Sequence, residues 1–207
     1  MLSGCLRDDF SADIEVYSND FESNDLYDIT GGRIVEFNGG LVNGNYNNEG
    51  FQLHLNDLPE HVYMYISFDL LIHDSWDGNF NDLEPDAPDL WIMELNPDLN
   101  EVRSQFKFET TFSNSVCTSR YCLQQSYPND YPFINNPKIG STIKNLPGFC
   151  TSDGETTLYK ITKQFKHYEN AMILSFYDKL LQSNVADPKC DESWSIDNIT
   201  VRALNVD

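Results

Sequence analysis

Apolar and polar residues alternate along this chain with a period of two over short runs, and clusters of Gly, Asn, Asp and Pro cut those runs apart. Helical periodicity is nearly absent. Residues 33–37 and 51–55 show the alternation, the second as Phe51-Gln52-Leu53-His54-Leu55, which is the pattern of strands with one buried face. Residues 62–72 read Val-Tyr-Met-Tyr-Ile-Ser-Phe-Asp-Leu-Leu-Ile and predict a long central strand. Residues 90–95, 102–111, 157–165, 171–177 and 196–204 are further strand candidates. Between them lie the turn signals Asn38-Gly39-Gly40 and Asn43-Gly44-Asn45, and a connection over residues 126–148 that carries four prolines. A loop of that length is functional or pinned. The pattern predicts an all-β chain: one jelly-roll β-sandwich of two antiparallel sheets over residues 16–207, with no internal repeat and no second domain.

Composition narrows the partners. Against 33 Asp and Glu stand 13 Lys and Arg, a formal net charge of −20, so phosphate backbones would be repelled and nucleic acid is excluded as a partner. Divalent cations, cationic proteins and neutral glycans stay open. Aromatic residues at 13% are too many for a disordered acidic tail, and no run of 18 apolar residues offers a membrane span.

The five cysteines divide into Cys5 at the start and Cys117, Cys122, Cys150 and Cys190 in the second half. Four cysteines make two disulfides by any of three connectivities. Zinc is the competing reading, but Cys150 and Cys190 have no Cys or His at finger-like spacing. Disulfides place the domain in an oxidising compartment. A bridge from Cys122 or Cys117 to Cys150 would close the long connection.

Leu2-Ser3-Gly4-Cys5 resembles the lipobox of bacterial lipoproteins, and Leu6-Arg7-Asp8-Asp9 resembles the acidic export signal of Bacteroidetes surface lipoproteins. The resemblance implies lipidation at Cys5, residues 1–4 as the remnant of a signal peptide, residues 5–15 as lipidated terminus and tether, and a place on the outer face of the bacterial outer membrane.

Two acidic constellations carry candidate chemistry. From Asp74 to Asp89 the chain places six carboxylates directly after its longest strand, an arrangement that asks for a cation; Ca²⁺, with six to eight oxygen ligands and tolerant geometry, is the natural one. The second constellation joins the chain ends. Asp20-Phe21-Glu22 opens the domain and Asp191-Glu192-Ser193-Trp194-Ser195-Ile196-Asp197-Asn198 begins its last strand, and neighbouring first and last strands would bring Glu22 to Asp197.

With Ile72-His73-Asp74-Ser75-Trp76-Asp77-Gly78, Pro88-Asp89-Leu90-Trp91, Thr110-Thr111-Phe112-Ser113-Asn114 and Gln125-Ser126-Tyr127-Pro128, that last segment resembles a jelly-roll module of secreted and surface proteins in bacteria and some ciliates, over residues 19–204. The chain ends are also similar to those of MAM, laminin-G and carbohydrate-binding jelly rolls, which implies Glu22 and Asp197 as ligands of one structural Ca²⁺. Asp74, Asp77, Asp89 and Glu192 are assigned to a second site from acidity and location.

Nothing points to catalysis. No Glu-x-Asp-x-Glu run appears, since Glu94-Leu95-Asn96-Pro97-Asp98 breaks at proline. His54, His61, His73 and His167 form no HxxxH pair, and Gly-x-Ser-x-Gly is absent. No catalytic residue is therefore predicted. Trp76, Trp91 and Trp194 read as core, while Tyr127, Tyr131 and Phe133 in the long connection are the candidate binding residues. The functional expectation is a Ca²⁺-stabilised accessory subunit of an outer-membrane protein complex; the alternative is a carbohydrate-binding or adhesion module.

Overall fold

A computed structural model describes residues 10–80, 88–96, 104–151, 154–180 and 186–206. Two antiparallel sheets pack face to face, and among the described residues the only helical turn is a short 3₁₀ segment, Pro188–Cys190. One sheet has seven strands: β1 (Phe10–Asn19), β3 (Ile34–Phe37), β4 (Gly40–Tyr46), β6 (Tyr63–Asp74), β9 (Ile143–Pro147), β10 (Glu155–Lys166) and β12 (Glu192–Val206). The other has five: β2 (Ile29–Thr30), β5 (Gly50–Leu55), β7 (Leu90–Leu95), β8 (Phe106–Thr111) and β11 (Met172–Lys179). The fold is the predicted β-sandwich.

The centre of the larger sheet is β12, which pairs with β6 along one edge and with two strands in succession along the other. β4 meets its first part, with Asn43 opposite Ile196, and β1 meets the rest, from Asn19 opposite Ile199. The exchange falls at a bulge: between Asp197 and Thr200 β12 advances one residue more than β6, and Asn198 takes a left-handed φ of 52°. Asparagine tolerates that conformation. The extra residue changes the parity of the strand. Trp194 and Ile196 point into the core before it and Ile199, Val201 and Ala203 after it, each buried. Without the bulge, one half of β12 would turn its apolar residues to solvent.

The core between the sheets is aromatic. Trp91 meets Trp194 edge-on at 5.9 Å, and Phe112, Phe108, Phe68 and Phe176 surround them. All three tryptophans are fully buried, as their apolar surroundings predict. A second small core lies on the outer face of the seven-stranded sheet, where Phe37, Val42 and Leu71 pack with Phe149 and Leu158. It explains why Leu70-Leu71-Ile72 is continuously apolar, since that part of β6 is covered on both faces.

Three readings of the sequence are corrected. The tether expected to reach residue 15 gives way to β1, which starts at Phe10 and pairs with β12. Asn43-Gly44-Asn45 lies inside β4 and makes no turn. Gly44 serves close approach there, because a Cβ would collide with Ser195 Oγ. The connection over 126–148 ends in β9, which pairs with β10.

Neither disulfide closes that connection. Cys117 bonds Cys122 and Cys150 bonds Cys190, with Cα separations of 4.3 and 5.3 Å. Buried amides pin the loop instead. Gln125 is fully buried; its Oε1 accepts from Ser113 N (3.2 Å), Lys138 N (2.8 Å) and Tyr159 Oη (3.3 Å), and its Nε2 donates to Tyr127 O (3.1 Å) and Ile139 O (3.2 Å). Asn135 Nδ2 donates to Ser126 O at 2.8 Å and so ties the turn of the loop to its root.

Strand β6 spans the sandwich from end to end, roughly 36 Å at 3.3 Å per residue. Tyr63 and the start of β1 mark one end; Asp74, Asp191 and the Cys150–Cys190 bridge mark the other.

Replacing Gln125 by Ala should destabilise the domain by about 2–4 kcal/mol in urea unfolding, because two buried backbone N–H groups lose their acceptor; a change under about 0.5 kcal/mol would show that the loop is held otherwise. Removing Cys150–Cys190, which encloses 40 residues, should cost about 4 kcal/mol by loop entropy, against about 2 kcal/mol for Cys117–Cys122 with its separation of 5. Paired Cys→Ala variants measure both.

Candidate functional site

The β12 bulge builds an acidic corner. It sets Asp197 opposite Asp69 of β6, and Asn198 Nδ2 donates to carboxylate oxygens of both, at 3.1 and 3.0 Å. Lys160 Nζ donates to both oxygens of Asp69, at 2.9 and 3.1 Å. Glu22 Oε1 accepts from Leu41 N at 3.0 Å and lies against Gly40. Burial pushes the Asp197 carboxyl up to about 6, with the charges of Asp69, Glu22 and Asp20 adding to the shift. The predicted neighbours Glu22 and Asp197 are therefore within electrostatic reach of each other.

The second predicted set falls into two neighbouring pairs, Asp77 with Asp89 by a hydrogen bond and Asp74 with Glu192 by the β6–β12 register. Asp89 is fully buried, and its Oδ2 accepts from Asp77 N at 2.9 Å; Glu192 is buried at the start of β12. Asp74 and Asp77 also line a pocket of about 450 Å³ with Ser75, Asn114, Glu155 and Asp191. Asp82, Glu84 and Asp86 lie outside the described residues, as does Cys5. Among the described residues, no three His, Cys, Asp or Glu side chains form a preformed metal cage.

Of the aromatic binding candidates, Tyr127 belongs to the core: it packs on Phe112 and Tyr159 with ring centroids 5.0 Å apart in both cases. Its ring fills the margin of the core beside β8, to which its backbone N–H donates at Thr111 O. Tyr131 is half-buried, and Phe133 is 48% exposed beside Ile134 at 69%.

One further surface was not singled out by the sequence. On the outer face of the five-stranded sheet, Thr30, Gly31, Gly50, Gln52, Glu94, Ser175 and Tyr177 line a groove of about 470 Å³. Tyr177, half-buried, stands opposite Gly50 in the β5–β11 register, so the residue across from it on β5 carries no side chain. Tyr177 Oη donates to Glu94 Oε2 at 2.8 Å, which fixes the ring, and burial beside that carboxylate raises the phenol pKa. Gln52 Nε2 donates to Ser175 Oγ at 3.0 Å. The alternation in Phe51-Gln52-Leu53 already placed Gln52 on the outer face; what it lacked was the register that sets Gln52 beside Ser175.

A serine–histidine contact also exists, Ser195 Oγ to His73 Nε2 at 2.8 Å. Both residues are fully buried, with Phe37 and Phe149 against the imidazole, and burial lowers the His73 pKa to about 3. That pair is sealed from any substrate and is a poor base.

The Asp197 shift has a sign that experiment can read. A carboxyl raised from 3.8 to about 6 on folding favours the folded state below pH 4 and loses that contribution as pH rises through 6. In chelated buffer, the wild type should gain stability relative to Asp197→Asn as pH falls from about 8 to about 4. Urea unfolding at both pH values checks this, and an equal response of the two proteins would contradict it.

No family model matches the chain, and no curated protein matches it. Two solved structures are similar to it. One is a carbohydrate binding module from Cellvibrio mixtus lichenase 5A in complex with cellotriose, at 9% identity and a TM-score of 0.38 over 91% of this chain and 97% of the module. The other is the K3 cleaved adhesin domain of Lys-gingipain from Porphyromonas gingivalis, at 11% identity and a TM-score of 0.42 over 92% of this chain and 100% of the domain. At these identities and scores the likeness carries no argument about this chain.

Proposed function

We propose that this chain is a non-catalytic binding module of the glycan-binding or adhesion kind, and that the groove on the five-stranded sheet is its binding surface. One observation supports this above the others: the Tyr177 ring, held by Glu94 and set opposite Gly50, lines the groove together with Gln52, Ser175 and Thr30. A flat ring edged by fixed donors and acceptors suits a neutral sugar, which offers an apolar face and a rim of hydroxyls. A net charge of −20 disfavours anionic polymers and is compatible with neutral glycans.

Lipidation at Cys5 remains part of the proposal. The five backbone steps from Cys5 to Phe10 reach roughly 18 Å at most, so an anchor there would hold the β1 end close to the outer membrane. The end with Asp74 and the disulfides would then face outward. The Glu22–Asp197 corner is proposed as a structural Ca²⁺ site, supported by the four carboxylates gathered there. A second reading, docking to an outer-membrane protein complex, has one observation in its favour: Phe133 and Ile134 are exposed side by side on a loop that buried amides hold rigid.

Affinity electrophoresis against a panel of neutral polysaccharides separates the two. The wild type should be retarded by at least one of them, Tyr177→Ala should lose the retardation, and Phe133→Ser should keep it. Loss with Phe133→Ser and not with Tyr177→Ala would favour the docking loop, and no retardation on any polysaccharide would sink the glycan reading.

A further inference from the structure

Among the residues that line the pocket between Asp74 and Asp191, Asn114 has a buried acceptor without a partner among the described residues. Asn114 follows β8 and is 7% exposed. Its Nδ2 donates to three backbone carbonyls, Ile72 O (3.0 Å), Asp74 O (2.8 Å) and Glu155 O (3.3 Å), which fixes the orientation of the amide. Rotating the amide by half a turn would set Oδ1 against those three carbonyls. In the fixed orientation Asn114 Oδ1 is buried with no hydrogen-bond partner among the described residues. Such an oxygen carries a desolvation cost of about 1–3 kcal/mol unless something satisfies it.

The surrounding pocket is lined by further acceptors. Asp74 Oδ2 accepts from Phe149 N at 3.2 Å, Asp191 Oδ1 from Ser75 Oγ at 2.7 Å and Glu155 Oε1 from Lys138 Nζ at 2.6 Å. Each of these carboxylates keeps its other oxygen out of any hydrogen bond among the described residues. Gly148 and Gly154 close around Asp74 Oδ1, where a Cβ on either would collide with it. Burial, with Asp191 adding to it, raises the Asp74 carboxyl to about 6.

We propose that this pocket binds Ca²⁺ through Asp74, Asp191 and Asn114 Oδ1, with Asp77 and Glu155 at its margin. The oxygen-only character and the presence of an amide carbonyl fit a hard cation that tolerates irregular coordination, whereas Mg²⁺ requires near-octahedral geometry. Because no three acidic side chains among the described residues form a preformed cage, water and backbone carbonyls would complete the coordination. That places the affinity in the class of extracellular modules, about 10⁻⁴ to 10⁻³ M. Its contributors come from the end of β6, the segment after β8, the start of β10 and the start of β12, so the ion fastens the loops around the Cys150–Cys190 bridge. The site is separate from the groove and from the Glu22–Asp197 corner.

The test is calorimetric titration of the full chain with CaCl₂, and in parallel with MgCl₂, at pH 7.5. Because the corner is proposed to bind Ca²⁺ as well, the titration is run on Asp197→Asn, with Asp191→Asn added as a second change. Asparagine at 191 still accepts from Ser75, and urea unfolding in EDTA verifies that the fold is intact. Asp197→Asn should bind one Ca²⁺ in the stated range and bind Mg²⁺ at least tenfold more weakly; adding Asp191→Asn should weaken Ca²⁺ binding by tenfold or more. Unchanged Ca²⁺ affinity on adding Asp191→Asn, or no heat from Asp197→Asn up to about 10 mM CaCl₂, would overturn the proposal.

Discussion

The bulge at Asp197 and Asn198 is the constraint on which the rest of the structure depends. A strand of 15 residues with a fixed period of two buries a single face, and β12 changes its parity in the middle to keep apolar residues inward along its whole length. The same extra residue hands the outer edge of β12 from β4 to β1, so the start of the described chain and its end become neighbours. It also sets Asp197 against Asp69, which creates the acidic corner. One asparagine in a left-handed conformation thus links the packing of Trp194 at one end of the strand to that of Ala203 at the other.

From that strand the functional surfaces follow by position. Partner β6 carries its apolar face to the far end, where it finishes at Asp74 with a left-handed φ of 62° that turns the chain into the acidic pocket. Across the core, the aromatic contacts of Trp91 and Phe176 hold β7 and β11 together, and their outward neighbours Glu94 and Tyr177 meet on the opposite face. Rigid strands therefore present the groove, while loops tied by a disulfide and by buried amides present the pocket. The two surfaces differ in chemistry: an aromatic ring with neutral donors in one, carboxylates and an amide oxygen in the other.

Much of this was legible from residues alone, and the failures have physical causes. Alternation located β3 and also β5, whose buried and half-buried residues take turns, while β7 and β11 were found as short apolar runs between turn residues. The jelly-roll assignment followed from short strands separated by turn residues. β4 was hidden because its Asn-Gly-Asn reads as a turn, and only the proximity of Ser195 shows that glycine serves packing there. β1 was hidden because Ser-Ala-Asp-Ile-Glu is polar enough for a tether; its partner at the other end of the chain makes it a strand. The disulfide pairing depends on which loop ends meet in space, and spacing along the chain does not carry that. Asp74 and Asp77 were found by acidity, whereas Asn114 and Asp191 joined them only through the fold, although both lie in sequence landmarks already noticed.

The central claim is that a neutral sugar lies on the Tyr177 ring. The most direct measurement is backbone amide NMR during titration with a soluble neutral oligosaccharide identified by electrophoresis. Perturbations should cluster at Thr30, Gln52, Glu94, Ser175 and Tyr177 and leave residues 126–140 unmoved. Shifts centred on Phe133 and Ile134, with the sheet face silent, would contradict the account.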